Sequence, residues 1–93
     1  MTIIDDLNRR LDQLMREPDN ADLYNRIGTI LGQFRDWENA ERYLRRAYEI
    51  SPSERNILYN YAVILYQRQK YREAASLLRA GLELNPKDPQ LLE

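Results

Sequence analysis

The chain has 93 residues, a formal net charge of -1 and neither cysteine nor histidine. This length allows one domain with a modest core, and the near-zero charge gives no general attraction to nucleic acid or anionic lipid. Disulfides, zinc sites and Ser-His-Asp or Cys-His catalytic groups are excluded by composition, and no apolar run approaches membrane-spanning length.

The first predicted element is an amphipathic helix over residues 3–17. Its apolar residues recur at helical spacing, at Ile4, Leu7, Leu11 and Leu14. Thr2 is the expected N-cap, and Pro18 ends the helix. Acidic residues near the start and the lack of an apolar signal core predict no secretory peptide, so a cytoplasmic location is the default expectation.

Two copies of one pattern follow this helix. Pro18, Pro52 and Pro86 are separated by 34 residues each time, which is the sign of a repeat array. Each copy predicts a helix A, a short turn and a helix B. The first pair is expected over about 20–33 and 37–50, and the second over about 54–67 and 71–84, with Ser53 as a new N-cap.

The aligned positions of the two copies carry a family resemblance. They are Tyr24, Ile27, Gly28, Leu31, Ala40, Leu44, Ala47 and Pro52 in the first copy, and Leu58, Tyr61, Ala62, Leu65, Ala74, Leu78, Gly81 and Pro86 in the second. This pattern of large, small and aromatic residues with a closing proline resembles the tetratricopeptide repeat. Helix packing explains the glycine at position 28, since Gly28 is expected to face the small Ala40 of helix B, so that the two backbones can approach each other.

The resemblance implies an all-α fold of antiparallel helix pairs, stacked as a short right-handed superhelical solenoid of about five helices. Residues 1–93 would form a single domain, with a capping helix at 3–17, unit 1 at 19–52 and unit 2 at 53–86. Residues 87–93 would be the start of a truncated third helix A or a tail. The resemblance also implies a concave groove lined by the A helices, which holds a peptide or another protein, and no catalytic activity, cofactor or metal.

The residues that would face this groove follow from the same resemblance. They are Asp22, Asn25, Thr29, Gly32 and Gln33 in unit 1, and Asn56, Tyr59, Val63, Tyr66 and Gln67 in unit 2; Asn60 is added as a hydrogen-bonding group. We expect Tyr59, Val63 and Tyr66 to anchor a partner, because exposed aromatic side chains bury a large area. The alternative is that both tyrosines fold over the neighbouring unit, with Tyr66 lying across Gly32.

Charged residues are expected on solvated faces. Glu41 and Arg45 form one of several i,i+4 pairs predicted on the outer face of helix B. Arg68, Lys70 and Arg72 cluster at the second inter-helix turn. RNA binding is less favoured there than a solvated face, and the first helix is expected to pack on unit 1 and not on a membrane. The sequence therefore predicts neither a nucleic-acid nor a membrane partner.

The C-terminal end of the predicted stack exposes apolar residues, at Leu77, Leu82 and Leu84. A helix pair of this kind cannot bury its own apolar face, and about three stacked units or caps at both ends are generally needed. The chain could belong to a longer array, self-associate through this end, or cover it with residues 87–93. The first two are favoured, so a self-assembling structural unit is the alternative function.

Overall fold

The computed structural model describes residues 2–84, which form five α-helices and no strand. They are α1 Ile3–Arg16, α2 Ala21–Gln33, α3 Trp37–Ile50, α4 Arg55–Gln67 and α5 Tyr71–Leu84. The predicted all-α stack of helix pairs is confirmed. The division into units and the interpretation of residues 87–93 stay predictions, and those last residues lie outside the described part of the chain.

Most helices begin at a side chain that accepts a hydrogen bond from the first turn. Thr2 forms a capping box with Asp5, and Asn20 and Asp36 accept from the backbone N–H groups of Leu23 and Asn39.

The start of α4 differs from the prediction. Its N-cap is Glu54, which makes no side-chain capping bond, so the prediction that Ser53 is the N-cap is wrong. The backbone N–H of Glu54 donates to the carbonyl oxygen of Ser51 at 3.2 Å, and this turn around Pro52 places Ser53 before the helix start.

The two turns between paired helices have the same geometry. Arg35 and Gln69 both adopt a φ of 62°, the left-handed conformation that commonly ends a helix. The following N–H group then reaches back into the helix, from Asp36 to Leu31 at 3.0 Å and from Lys70 to Leu65 at 2.8 Å. Three-residue turns of this kind return the chain antiparallel to itself.

Helices α2 and α3 pack closely at Gly28. A β-carbon there would lie 3.2 Å from the Ala40 carbonyl oxygen, so the predicted contact is confirmed, and only 2.6 Å from Cγ of Leu44. Leu44 is fully buried, together with Ile27, Leu58 and Leu65. Helix α4 contacts both α3 and α2, so the second helix pair stacks on the first through this core.

Helix α1 packs against α2, where a capping helix was predicted. None of its residues is fully buried. Leu7, Leu11 and Leu14 are half-buried, while Ile3 and Ile4 at its start are exposed. The apolar stripe of α1 is therefore only partly covered within residues 2–84.

Membrane-spanning capacity is absent from the described helices: none within residues 2–84 combines the length and apolar character that a bilayer crossing requires.

Candidate functional site on the A helices

The exposed sides of α2 and α4 lie next to each other and carry the residues predicted for the groove; we call this surface the groove face. Its two helices are joined by a hydrogen bond between side chains of different units. Nδ2 of Asn60 donates to Oδ1 of Asn25 at 3.0 Å, and both side chains are half-buried. The Thr29 hydroxyl donates to the Asn25 carbonyl oxygen within α2, at 2.8 Å.

A cavity of about 240 Å³ opens on the groove face between the two helices. Its polar lining consists of Thr29, Gln33, Asn60 and Gln67. Its apolar lining consists of Trp37, Leu44, Val63 and Ile64. Gly32 lies among them, and none of the lining side chains from residues 2–84 is charged.

A second cavity, of about 480 Å³, lies at the N-terminal ends of α2 and α4. Asn25 and Asn56, two more of the predicted groove residues, line it. Asp19, Asp22 and Glu54 line it as well, and Asp19 and Asp22 are paired with Arg46 and Arg26.

The predicted anchors lie on the exposed side of α4. Tyr59 is 38% exposed, Val63 39% and Tyr66 63%. The alternative placement of Tyr66 across Gly32 is wrong. The Tyr66 ring instead packs edge to face on Tyr71, with ring centroids 5.0 Å apart.

The residues at the base of the smaller cavity were not predicted from the sequence. A β-carbon on Gly32 would lie 3.1 Å from Cδ1 of Ile64 and 3.7 Å from Cζ3 of Trp37, so these two side chains occupy the place assigned to Tyr66. Their core positions in the repeat concealed this role. The signal available was Gly32 itself, because a glycine leaves the residues beneath it uncovered.

A buried carboxylate corrects the placement of Glu41 on a solvated outer face. Glu41 is 1% exposed. Its oxygens accept hydrogen bonds from Arg45 of the same helix, from Arg68 at 3.0 Å and from Lys70 at 3.0 Å. Two of the three residues in the predicted basic cluster are therefore bound to Glu41 of unit 1.

These contacts determine the charge state of the cluster. Burial alone raises the pKa of the Glu41 carboxyl, but the hydrogen bond from Lys70 and the charges of Lys70, Arg68 and Arg45 outweigh it and hold the pKa below its usual value. The pKa of Arg45 is raised, chiefly by a hydrogen bond with the hydroxyl of Tyr61, whose oxygen lies 3.5 Å from Nε of Arg45. Glu41 is thus held as a carboxylate within a hydrogen-bonded cluster.

The apolar residues predicted at the C-terminal end differ in exposure. Leu77 is buried in the core cluster with Leu58 and Leu65, so its predicted exposure is wrong. Leu77 belongs to the inner side of the α4–α5 pair. Leu82 is half-buried and Leu84 is 57% exposed.

Comparisons with known proteins bear on this fold. Residues 33–93 match the family model described as tetratricopeptide repeat. The chain is 34% identical over 65 residues to Protein O-mannosyl-transferase Tmtc2 of Drosophila melanogaster, a match that covers 69% of this chain and 7% of that protein. It is 30% identical over 77 residues to Protein O-mannosyl-transferase Tmtc1 of the same organism, covering 82% and 9% respectively. The chain therefore spans less than a tenth of either relative.

Proposed function

The chain belongs to the tetratricopeptide repeat family, and from that premise we propose that it binds a peptide or partner protein on the groove face. The family implies a protein–protein interaction module in general. The finer assignment to the exposed sides of α2 and α4 is our proposal. The mannosyltransferase activity in the relatives' names is not part of it, because the match covers so little of each relative.

The observation that carries the proposal is the combination of anchors and amides on one surface. Tyr59, Val63 and Tyr66 expose aromatic and apolar area on successive turns of α4. Side-chain amides lie beside them, at Asn25, Asn60, Gln33 and Gln67. Aromatic residues supply binding energy, while amides can pair with the backbone groups of a bound segment.

The test begins with a random peptide library displayed on phage and selected against the chain. Affinities of the recovered peptides are then measured by fluorescence anisotropy for wild type and for a Tyr59→Ala/Tyr66→Ala double variant. We expect the double variant to lose binding and to keep its helicity by circular dichroism. Arg42→Ala, on the outer face of α3, is the control that should bind normally. Equal affinity of wild type and the double variant would exclude this surface.

Self-association is the second candidate function, favoured by the exposed Leu84 and by the partly covered apolar stripe of α1. Leu77 is buried and is not part of this surface. Light scattering over a dilution series should then show a dimer that dissociates, and Leu84→Glu should be monomeric at every concentration. The neighbouring Glu83→Gln is the matched control. A wild-type monomer throughout the series would exclude this function.

A further inference from the structure

The cavity beside Gly32 is large enough for a ring. Its volume is about 240 Å³, whereas an apolar protein cavity of about 150 Å³ already holds benzene. The indole of Trp37 and the terminal methyl of Ile64 lie at its base, beneath the position where a side chain on Gly32 would begin. The cavity opens on the groove face, so a side chain can enter it from outside.

Unit 2 shows what is missing from unit 1. Tyr66 stands one repeat period after Gly32, and Tyr71 stands one period after Trp37. In unit 2 the Tyr66 ring packs on the Tyr71 ring, with centroids 5.0 Å apart and planes inclined at 66°. In unit 1 the counterpart of Tyr71 is the aromatic Trp37, whereas the counterpart of Tyr66 is Gly32, which has no side chain. Among residues 2–84, Trp37 therefore has no ring packed on it in the way that Tyr66 packs on Tyr71.

The lining also restricts the charge of an occupant. Thr29, Gln33, Asn60 and Gln67 provide hydroxyl and amide groups, and no lining side chain in the described part of the chain is charged. Burying a charge without a partner is costly, whereas amides satisfy the polar groups of a peptide backbone. An uncharged segment with its backbone near these amides fits this lining, and a charged residue next to the ring does not.

We propose that this cavity takes one aromatic side chain from an uncharged partner segment, which supplies the ring that Gly32 leaves out beside Trp37. The proposal rests on the groove-binding function proposed above and names the chemistry of its ligand. The bound ring would lie against Trp37 as Tyr66 lies against Tyr71, an arrangement that aromatic pairs prefer.

The first test uses peptides recovered from the random library. We expect an aromatic residue at one constant position, without Lys, Arg, Asp or Glu on either side. Replacing that aromatic by alanine in a synthetic peptide should weaken binding by about tenfold or more, as expected for the loss of a buried aromatic side chain. This measurement uses the wild-type protein, so it does not depend on the folding of a variant.

The second test fills the cavity from within. Gly32→Tyr places in unit 1 the residue that unit 2 carries, and the aromatic peptide should bind it about tenfold more weakly or worse. Arg42→Tyr, on the outer face of α3, is the control for an added ring away from the groove face, and it should bind the peptide normally.

The outcomes separate this inference from the function on which it rests. Some outcomes would overturn the inference and leave groove binding intact. They are peptides that depend on Tyr59 and Tyr66 for binding but contain no aromatic residue, contain a charged residue next to the aromatic, or bind Gly32→Tyr as well as wild type. Peptides whose affinity is unchanged by substitution of Tyr59, Tyr66 and Gly32 would overturn groove binding itself.

Discussion

The ammonium of Lys70 lies 3.0 Å from the carboxylate of Glu41, although Glu41 lies in the α2–α3 helix pair and Lys70 in the turn of the α4–α5 pair. Arg68, from the same turn as Lys70, reaches the other carboxylate oxygen at 3.0 Å. One buried carboxylate of α3 thus holds the turn that joins α4 to α5. A buried charge is tolerated here because each oxygen has a cationic donor.

Replacing Glu41 by glutamine should destabilise the chain by about 2 kcal/mol. The variant loses charge-assisted hydrogen bonds and leaves three cations close together. Their side chains are 30% to 48% exposed, so they can turn toward water, which limits the loss. Urea denaturation followed by circular dichroism measures it. Glu38→Gln breaks the exposed pair with Arg42 and should cost less than about 0.5 kcal/mol; equal losses would contradict the role of Glu41.

The stability difference between wild type and Glu41→Gln should depend on pH in one direction. The pKa of Glu41 is lowered in the folded chain, so its contribution is complete above the pKa of about 4.3 that a glutamate has when unfolded. The difference should be constant from neutral pH to about pH 5 and shrink as the pH falls below about 4 and the carboxylate gains a proton. Urea curves collected across this range measure it. A difference that grows on acidification would show that Glu41 is not stabilised as a carboxylate.

The glycines of α2 should respond in opposite ways to alanine. In Gly28→Ala the new methyl group meets Cγ of the fully buried Leu44 at 2.6 Å, so we expect a loss of about 1–3 kcal/mol despite better helix propensity. In Gly32→Ala the neighbour is the terminal methyl of Ile64 at 3.1 Å, which can move into the adjoining cavity. That variant should be unchanged or up to about 1 kcal/mol more stable. Thermal denaturation of the two variants and wild type measures the change in stability of each. An equal loss of stability in both variants would contradict the proposed difference in packing.

Gln69→Gly should stabilise the chain by about 0.5–1 kcal/mol. Gln69 holds a φ of 62°, which costs energy for a residue with a β-carbon but not for glycine. Gln67→Gly, two residues earlier in the last turn of α4, is the control and should be destabilising by about 0.5–1 kcal/mol. Chemical denaturation distinguishes them, and a loss of stability in Gln69→Gly would mean that its side chain matters more than its backbone.

The sequence was informative where the two copies agree. Core residues such as Gly28 and Ala40 recur as small residues one period later, at Ala62 and Ala74. That recurrence predicted the helices, their pairing and the close contact of α2 with α3. The same alignment brought groove residues onto one surface, and five of them line one cavity, namely Thr29, Gln33, Asn60, Val63 and Gln67.

The sequence was uninformative where the copies differ. The counterpart of Glu41 in unit 2 is Ala75, which is exposed. Periodicity therefore contains no sign that Glu41 is buried, and its i,i+4 partner Arg45 suggested an ordinary surface pair. Its burial depends on how the turn at Arg68 crosses α3, which is a property of the stacked units and not of either helix alone.

The Glu41 cluster also bears on how the chain unfolds. In a stack of repeats, total stability is the sum of the stability of each unit and of the coupling between neighbours. The bonds from Glu41 to Arg68 and Lys70 cross the boundary between the two helix pairs, so they contribute to the coupling between them. If the contacts at that boundary are weakened, each helix pair keeps its own hydrogen bonds, but its unfolding is less strongly coupled to that of the other pair. A single carboxylate thus helps to decide whether the two pairs unfold cooperatively or one after the other.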